Sequence, residues 1–228
     1  MQTKEFEITG FTEVEVVSAF QIEISKGDKF SVSIDADNFH YIKAEKNGET
    51  LVIGRQGIEW LAPFHSQPRA RVAMPLLKRI DLSQASRGKI EGFDSNENLN
   101  IKISEASHLD ARHIAAGELQ VEVSGAAGLD GEMKVTGNAR LNASGASSIV
   151  LTGSAADIKV KANGASRVEL DRFAVQNASV DLSGASNGSV NLNGKLDARA
   201  SGASNLTWVG NPTMGEIMTS GASNLRRK

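Results

Sequence analysis

A short motif built on Ser-Gly-Ala-Ser recurs through the last two thirds of the chain. Eight copies occur, and their central alanines are 21, 20, 20, 19, 20, 18 and 19 residues apart: Ala85, Ala106, Ala126, Ala146, Ala165, Ala185, Ala203 and Ala222. Self-similarity at a fixed period near 20 residues is typical of a solenoid, in which each repeat forms one coil that stacks on the next. The 22 glycines beside only 5% aromatic residues therefore reflect a repeat and not low-complexity disorder.

The residues that precede the motif indicate which solenoid forms. Apolar residues dominate two columns, five and three positions before each alanine: Ile80, Ile101, Val121, Leu141, Val160, Val180, Ala198 and Ile217, then Leu82, Ile103, Val123, Ala143, Ala162, Leu182, Ala200 and Thr219. The position between them is polar in all coils but the last. This alternation predicts a β-strand with one buried face, and it resumes after the motif at Leu109, Leu129 and Ile149.

Each coil therefore carries at least two strands with a tight corner between them. The predicted fold is all-β: a single-stranded parallel β-helix of about eight coils with about 20 residues per coil. A leucine-rich repeat has a similar length, but its Leu-x-x-Leu-x-Leu spacing is missing here. An α-solenoid would need a period of 3.6 residues, which the repeat does not have.

The alanine column is expected to form the corner between the strands. Coils stack at about 4.8 Å, so identical positions lie above one another and a sharp bend needs small side chains. Leu in place of Ala146 or Ala165 is then expected to overpack the corner. Glycine precedes the alanine in six copies and supplies backbone conformations closed to other residues. Gln84 and Glu105 replace that glycine in the first two copies, where we expect a less tightly bent corner.

The outward column alternates in charge from coil to coil. It contains Asp81, Lys102, Glu122, Asn142, Lys161, Asp181, Arg199 and Met218, with no like charges adjacent. Stacking in register penalises adjacent like charges, so the column favours coils that stack in register. Chance in a mixed-charge surface is the alternative.

Residues 1–75 differ in pattern from residues 76–228, which hold the repeat. They contain short strand-like segments, with Lys26-Gly27-Asp28 and Lys46-Asn47-Gly48 as predicted hairpin turns. A solenoid needs its first coil covered, because an exposed end leaves unpaired backbone and apolar core. We therefore predict an N-terminal β-rich cap over residues 1–75, packed on the helix. The stretch from Trp60 to Pro75 is predicted to be a loop or connection.

The N-terminal segments and the repeat together resemble a known family. The similar segments are Phe11-Thr12-Glu13-Val14-Glu15-Val16, Phe20-Gln21-Ile22-Glu23-Ile24, Lys26-Gly27-Asp28, Phe30-Ser31-Val32, Leu51-Val52-Ile53 and the repeated Ser-Gly-Ala-Ser-Asn-Leu. As a set, they are similar to the putative auto-transporter adhesin, head GIN domain family over nearly the whole chain. The resemblance implies a right-handed β-helix and a bacterial, often cell-envelope protein. It brings no catalytic residues.

Composition excludes several classes of function. A formal charge of −2 and a pI near 6.1 provide no basic field for a phosphate backbone, so no nucleic-acid partner is expected. The absence of cysteine removes disulfides and thiolate metal sites. No apolar run approaches the length of a membrane span, and no signal-peptide core opens the sequence. Either the protein is cytosolic or a leader has been removed, and the resemblance favours the periplasm or the cell surface.

Parallel β-helices also host polysaccharide lyases and hydrolases, so a carbohydrate-active site is an alternative. The nearest candidate cluster is Asp110 beside Asp130, with Arg112 and Glu132 close by, on a charged outward face without an aromatic platform for sugar. His108 and His113 are five residues apart, which on a strand is not a ligand spacing, and no metal or cofactor is predicted.

A second candidate lies in the connection, where Trp60, Phe64 and His65 form either a ligand-binding loop or a buried anchor between cap and helix.

The sequence thus predicts a non-enzymatic cell-envelope or surface protein, an adhesin or binding scaffold whose partner is a protein or glycan at a cell surface. The alternatives are a carbohydrate-active β-helix enzyme and a self-assembling structural β-helix. The last motif in its longer form, Ser220-Gly221-Ala222-Ser223-Asn224-Leu225, is followed by only three residues, so the final coil is incomplete. We predict that this end, with Trp208, Val209, Ile217, Met218 and Leu225, is an interface covered by a second copy or by the chain's own N-terminal strands.

Overall fold

The structure is a computed structural model that describes residues 1–56 and 67–228. Its described residues form β-strands and one short 3-10 turn, Phe39–Tyr41. The strands are β1 (Gln2–Glu5), β2 (Glu13–Val16), β3 (Gln21–Lys26), β4 (Ser31–Ala36), β5 (Ile42–Asn47), β6 (Thr50–Arg55), β7 (Arg69–Met74), β8 (Arg79–Leu82), β9 (Arg87–Glu91), β10 (Leu99–Ile103), β11 (His108–Ala116), β12 (Leu119–Val123), β13 (Gly128–Val135), β14 (Ala139–Ala143), β15 (Ser148–Ser154), β16 (Asp157–Ala162), β17 (Arg167–Val175), β18 (Asn177–Leu182), β19 (Asn187–Leu192), β20 (Lys195–Ala200), β21 (Asn205–Val209), β22 (Thr213–Thr219) and β23 (Asn224–Arg227).

The strands form two sheets that face each other across one core. Sheet A has 12 strands in the order β1-β4-β7-β3-β9-β11-β13-β15-β17-β19-β21-β23. Sheet B has 11 strands in the order β22-β20-β18-β16-β14-β12-β10-β8-β2-β6-β5. From β8 onward the chain alternates between the sheets, and each strand pairs in parallel with the strand one coil earlier. The predicted parallel β-helix, with two strands per coil, is confirmed.

The core lies where the alternation places it. Every residue of the two inward columns is buried from Ile80 to Ala200, and the column between them is exposed from Lys102 onward. That outward column pairs in register, Lys102 with Asp81 and with Glu122, as its charge pattern predicts. Each fully buried Val, Leu or Ile stabilises the fold by roughly 1.5–3 kcal/mol relative to exposure. Only the last coil departs, since Ile217 is 40% exposed.

The corner column is where the sequence expectation needs correction. All eight alanines lie in the turns between strands, but their side chains are exposed, so overpacking at Ala146 or Ala165 is not expected. The crowded residue is the glycine before them. Gly164 has φ +76°, and a Cβ there would lie 2.6 Å from the carbonyl oxygen of Gly145 in the previous coil. Stacked backbone, not stacked side chains, therefore limits this corner.

The motif serine after each alanine is the buried residue of the corner. Six of these serines are at most 2% exposed: Ser86, Ser107, Ser147, Ser166, Ser186 and Ser204. The third copy has Ala127 at this position, and Ser223 in the last copy is only partly buried. Ser166 Oγ donates to the carbonyl of Asn163 at 2.6 Å, and Ser86 Oγ donates to the carbonyl of Ser83 at 2.7 Å. A hydroxyl at this position closes the turn and satisfies its own polarity, which explains a buried serine in an apolar core.

The expectation that Gln84 and Glu105 make looser corners is wrong. Four residues separate the strands there, as in the glycine corners after β14 and β18. The difference lies in the turn itself, because Gln84 and Ala85 both have positive φ (56° and 61°), as do Glu105 and Ala106. In the glycine corners only the glycine has positive φ. Positive φ at both central residues is the mark of a type I′ turn, and at the first alone of a type II′ turn.

The change of turn reverses a ladder of hydrogen bonds. The Ala85 amide donates to the Glu105 carbonyl in the next coil at 3.0 Å, whereas the Ala146 amide donates to the Gly125 carbonyl in the previous coil at 2.8 Å. The reversal occurs between the corners of Ala106 and Ala126. The solenoid therefore has two corner geometries, and glycine marks the second.

The N-terminal strands extend the same two sheets. Strands β2 and β3 stack in parallel on β8 and β9, and β6 and β7 stack in turn on β2 and β3, although they follow them in the chain. Strands β1, β4 and β5 then close this end with antiparallel pairing. The division at residue 75 stays a prediction, and a single buried core crosses it from Phe11 to Leu206.

One of the two predicted hairpins is present. Asn47 pairs with Thr50 in the antiparallel ladder of β5 and β6, so Lys46-Asn47-Gly48 leads into a hairpin turn. Lys26-Gly27-Asp28 does not form one, because β7 lies between β3 and β4 in sheet A. Turn residues in the sequence indicated a reversal there but not the strand that arrives later and fills the gap.

Candidate functional site

The outer face of sheet A carries a groove near the C-terminal end of the solenoid. It has a volume of about 880 Å³. Its outward-facing and terminal lining residues come from β17, β19, β21 and the last segment of the chain: Arg167, Glu169, Asp171, Asn187, Ser189, Asn205, Thr207, Asn224, Arg226, Arg227 and Lys228. We call this set the polar groove.

Side-chain size explains the shape of the polar groove. Its floor is formed by short polar residues on two neighbouring coils, with Ser189 and Thr207 in register on β19 and β21. Longer charged side chains stand on either side, Glu169 beside Ser189 on β17 and Arg226 beside Thr207 on β23. Because the strands are about 4.8 Å apart, two coils of short side chains between two coils of long ones leave a depression.

Some groups in the polar groove are already paired. Asn205 Nδ2 donates to Asn187 Oδ1 at 3.1 Å, an amide contact between stacked coils. Arg167 forms an ion pair with Glu169, and Lys228 forms one with Asp171. These contacts neutralise both carboxylates.

Other groups in the polar groove have no partner. Among the described residues, no hydrogen bond or ion pair is made by the side chains of Thr207, Asn224, Arg226 and Arg227. Thr207, Asn224 and Arg226 lie on the outward face, so the groove offers a hydroxyl, a carboxamide and one guanidinium group to a ligand, whereas Arg227 is in register with the inward-facing Trp208.

The carboxylates that the sequence marked as an enzyme candidate do lie together. Asp110 and Asp130 are register neighbours on β11 and β13. The Arg112 guanidinium donates to both carboxylate oxygens of Asp110, at 2.6 and 3.2 Å. His108 Nε2 lies 3.2 Å from Asp130 Oδ2. The Asp110 carboxylate raises the pKa of Arg112 through that hydrogen bond and through its charge. Each aspartate thus has a cationic or imidazole partner at an exposed surface, which is the arrangement of a charged ladder.

Glu132 and His113 form a looser set beside it. His113 lies 3.9 Å from Glu91 and 3.8 Å from Glu132, with φ 53° at a register shift between β11 and β13. The Lys89 ammonium hydrogen-bonds Glu91 and lowers the pKa of that carboxyl. Within the part of the chain that the structure describes, no group of three or more His, Cys, Asp or Glu residues is placed to hold a metal ion.

The residues predicted at the C-terminal end do cluster there. Strands β22 and β23 are the last strands of their sheets. Ile217 and Met218 are 40% and 51% exposed, as is Met214 at 46%, while Trp208 and Leu225 pack partly against the core. Coverage of this end by the chain's own N-terminal strands is wrong, because β1, β4 and β5 lie at the opposite ends of the sheets. The predicted interface through a second copy stays a prediction.

One candidate site from the sequence lies outside the described residues, and one site in the structure was not predicted. Trp60, Phe64 and His65 lie outside the described residues. The polar groove was not predicted, although its signal is in the sequence, where two consecutive coils carry Asn and Ser or Thr at the outward positions that hold Arg and Glu one coil earlier. Reading that signal requires the register between coils, which a single repeat does not show.

Known proteins share this architecture. Residues 10–212 match the family described as putative auto-transporter adhesin, head GIN domain. The chain belongs to this family. The resemblance seen in the N-terminal segments and the repeat is therefore confirmed, and the head GIN domain match includes both the β2–β7 region and nearly all of the coils.

Three solved structures share the fold of this head GIN domain chain. A putative adhesin from Parabacteroides merdae has a TM-score of 0.90 at 16% identity, with 100% of this chain and 95% of that chain covered. A putative adhesin from Parabacteroides distasonis has a TM-score of 0.89 at 17% identity, with coverage of 99% and 96%. A putative lipid binding protein from the same species has a TM-score of 0.88 at 14% identity, with coverage of 100% and 96%. Such identities show a shared fold alone.

No curated protein matches the sequence significantly. Among the described residues of this head GIN domain chain, no helix is long and apolar enough to cross a membrane.

Proposed function

We propose that the chain is a non-enzymatic binding protein of the bacterial cell envelope or cell surface, which presents the outer faces of its β-helix to a protein or glycan. The observation that carries this proposal is the outer face of sheet A, where polar side chains stay in register over successive coils and form the polar groove. A solenoid buries its apolar columns inside, so its whole outer surface is free for binding.

Family membership supports the proposal, since the family description names an adhesin head domain. Two of the similar structures are described as putative adhesins and one as a putative lipid binding protein. The partner surface and the location outside the cytoplasm are part of the proposal.

Binding of the purified 228-residue chain to immobilised polysaccharides, surface proteins and lipid vesicles tests the proposal. We expect saturable binding to at least one polysaccharide or surface protein and none to bare vesicles. Binding to no member of the panel and to no intact bacterial or host cell would contradict the proposed function, and binding to vesicles alone would replace it with a lipid-binding one.

A parallel assay addresses catalysis. Because Asp110 and Asp130 each contact a cationic or imidazole group on an open face, neither is placed as a general acid. We expect no cleavage of the same polysaccharides by the wild-type chain, and the same result for Asp110→Asn with Asp130→Asn. A cleavage activity that disappears in this double variant would overturn the non-enzymatic assignment.

A further inference from the structure

The polar groove has an excess of positive charge that the rest of the chain lacks. Apart from Arg227, which is in register with the inward-facing Trp208, its lining includes three cations, Arg167, Arg226 and Lys228, and two anions, Glu169 and Asp171, which leaves an excess of one positive charge. The whole chain has a formal charge of −2. The two anions are held by Arg167 and Lys228, so the unpaired charge falls on the Arg226 guanidinium.

From this pairing we propose that the polar groove binds an acidic polysaccharide, a hydroxyl-rich polymer that carries carboxylate or sulfate groups. The proposal rests on the proposed binding function and names its ligand class and site. Arg226 would bind an acidic group, because guanidinium presents planar paired donors that match carboxylate and sulfate oxygens. Thr207 and Asn224, which also lack partners, would bind ring hydroxyls as donors and acceptors.

The floor favours a polysaccharide over an acidic peptide. An extended peptide commonly binds a sheet by adding a strand to an open edge. Strand β19 pairs with β17 and β21, and strand β21 pairs with β19 and β23. The backbone groups of the floor are therefore already hydrogen-bonded. The apolar residues under the floor, Val168 and Leu206, are each 1% exposed and provide no pocket for an apolar peptide side chain.

The width of the polar groove also fits one polymer chain. Its walls stand on β17 and β23, three strand spacings apart, or roughly 14 Å between strand axes. The Lys228–Asp171 ion pair joins the two walls across the groove, so a bound polymer would pass over this contact. Binding is expected to weaken with salt, because the Arg226 guanidinium that it uses is exposed.

Titration of immobilised polymers with the purified chain tests this assignment. The probes are polygalacturonate for carboxylate, dextran sulfate for sulfate, dextran as the neutral polymer and poly-glutamate as the acidic peptide. We expect binding to polygalacturonate or dextran sulfate, with their ratio showing which acidic group is preferred, and none to dextran. Equal or tighter binding of poly-glutamate would overturn the assignment to a polysaccharide.

Two charge variants locate the site. Arg226→Gln is expected to weaken binding about fivefold, as the loss of one exposed charge contact predicts. Arg87→Gln is the matched control, because it removes the same charge from an exposed arginine of sheet A, on β9 toward the other end. The control is expected to bind within about twofold of wild type. Equal loss in both variants would mean diffuse electrostatic attraction and would overturn the site.

A third variant tests the floor at constant charge. Thr207→Val keeps the shape and strand preference of this floor residue but removes its unpaired hydroxyl, and we expect several-fold weaker binding with unchanged thermal unfolding. Unchanged affinity in this variant would show that the floor takes no part and would overturn the proposed site. If the chain binds cells or polymers but all groove variants behave as wild type, this inference fails and the proposed function stands. If the chain binds nothing, both fail.

Discussion

The glycine of each corner is the residue with the least freedom to change. Gly164 combines a left-handed φ of +76° with stacked backbone directly above the site of a Cβ, whereas Gly48 has a φ of +61° and open space around it. The two positions therefore separate the cost of backbone strain from the cost of steric contact.

Replacing Gly164 by Ala should destabilise the chain far more than replacing Gly48. We expect Gly48→Ala to cost about 1 kcal/mol from the left-handed conformation alone, and Gly164→Ala to cost about 2–4 kcal/mol because overpacking adds to it. Chemical denaturation of both variants measures the difference. Ala165→Leu, next to Gly164 but exposed, should stay within about 0.5 kcal/mol of wild type. Equal costs for the two glycine variants would mean that the coils can separate at the corner.

The buried motif serine gives a second prediction at the residue scale. Ser166→Ala removes the hydroxyl that bonds the Asn163 carbonyl at 2.6 Å and should cost about 1 kcal/mol of unfolding free energy. Ser148→Ala, in a neighbouring coil, removes a half-buried hydroxyl and should change the unfolding free energy by less than about 0.5 kcal/mol. A Ser166→Ala chain as stable as wild type would show that packing alone, as at Ala127, closes the corner.

At the scale of single elements, alternation in the sequence predicts which face of a strand is buried but not which strands it pairs with. Ile80 and Leu82 are predicted to be buried and are buried, because a strand's parity follows from its own residues. The order of coils at the N-terminal end was not predictable in this way. Strands β2 and β6 each pair on both sides, and nothing in either sequence shows that β2 lies between β6 and β8 while β6 lies between β2 and β5.

The backbone at Gln84 and Glu105 shows a second limit. Both residues adopt φ values that local preference disfavours, because the corner must keep its four-residue length for the coils to stay in register. The polar groove is a third case, since its depth depends on side chains one and two coils away. Properties that belong to one coil are therefore predictable from the sequence, and properties that arise between coils require the register.

Strand β22 offers a prediction about a carboxylate that bonds its backbone at a register shift. Asp197 on β20 accepts a hydrogen bond from the Glu216 amide at 2.7 Å, beside a register shift between the two strands. That backbone bond, and then the Lys195 ammonium, lower the pKa of Asp197 from its ordinary value of 3.8. A lowered pKa means that the contact is complete above pH 3.8 and is lost as the pH falls through the folded value.

The Glu216 amide resonance should therefore titrate with a midpoint below 3.8 in an NMR pH series. Asp197→Asn should abolish this titration and increase amide exchange along β22, because the neutral amide is a weaker acceptor at the register shift. Asp181→Asn, an exposed residue on the neighbouring strand β18, is the control and should leave the Glu216 resonance unchanged. A midpoint at or above the ordinary value would show that the carboxylate does not accept this bond.

At the scale of the whole molecule, the two ends of the solenoid differ in how their edges are treated. The N-terminal end is closed by antiparallel strands whose outermost members are rich in charge, with Lys4 and Glu5 on β1 and Lys43, Glu45 and Lys46 on β5. Charged residues on an edge strand discourage pairing with another chain. At the C-terminal end, β22 carries Met214, Ile217 and Met218 exposed beside unpaired strand edges.

We predict that the 228-residue chain self-associates through its C-terminal end. Two copies related by a twofold axis would pair their edges antiparallel and bury the exposed methionines and Ile217, which interfaces favour over charge. Sedimentation velocity over a concentration series should show a monomer–dimer equilibrium that Ile217→Lys with Met218→Lys shifts to monomer. Lys43→Glu with Lys46→Glu, at the other end, should leave that equilibrium in place. A wild-type chain that stays monomeric at the highest concentration, with rapid amide exchange from residue 217 to residue 225, would show that this edge remains open and uncovered.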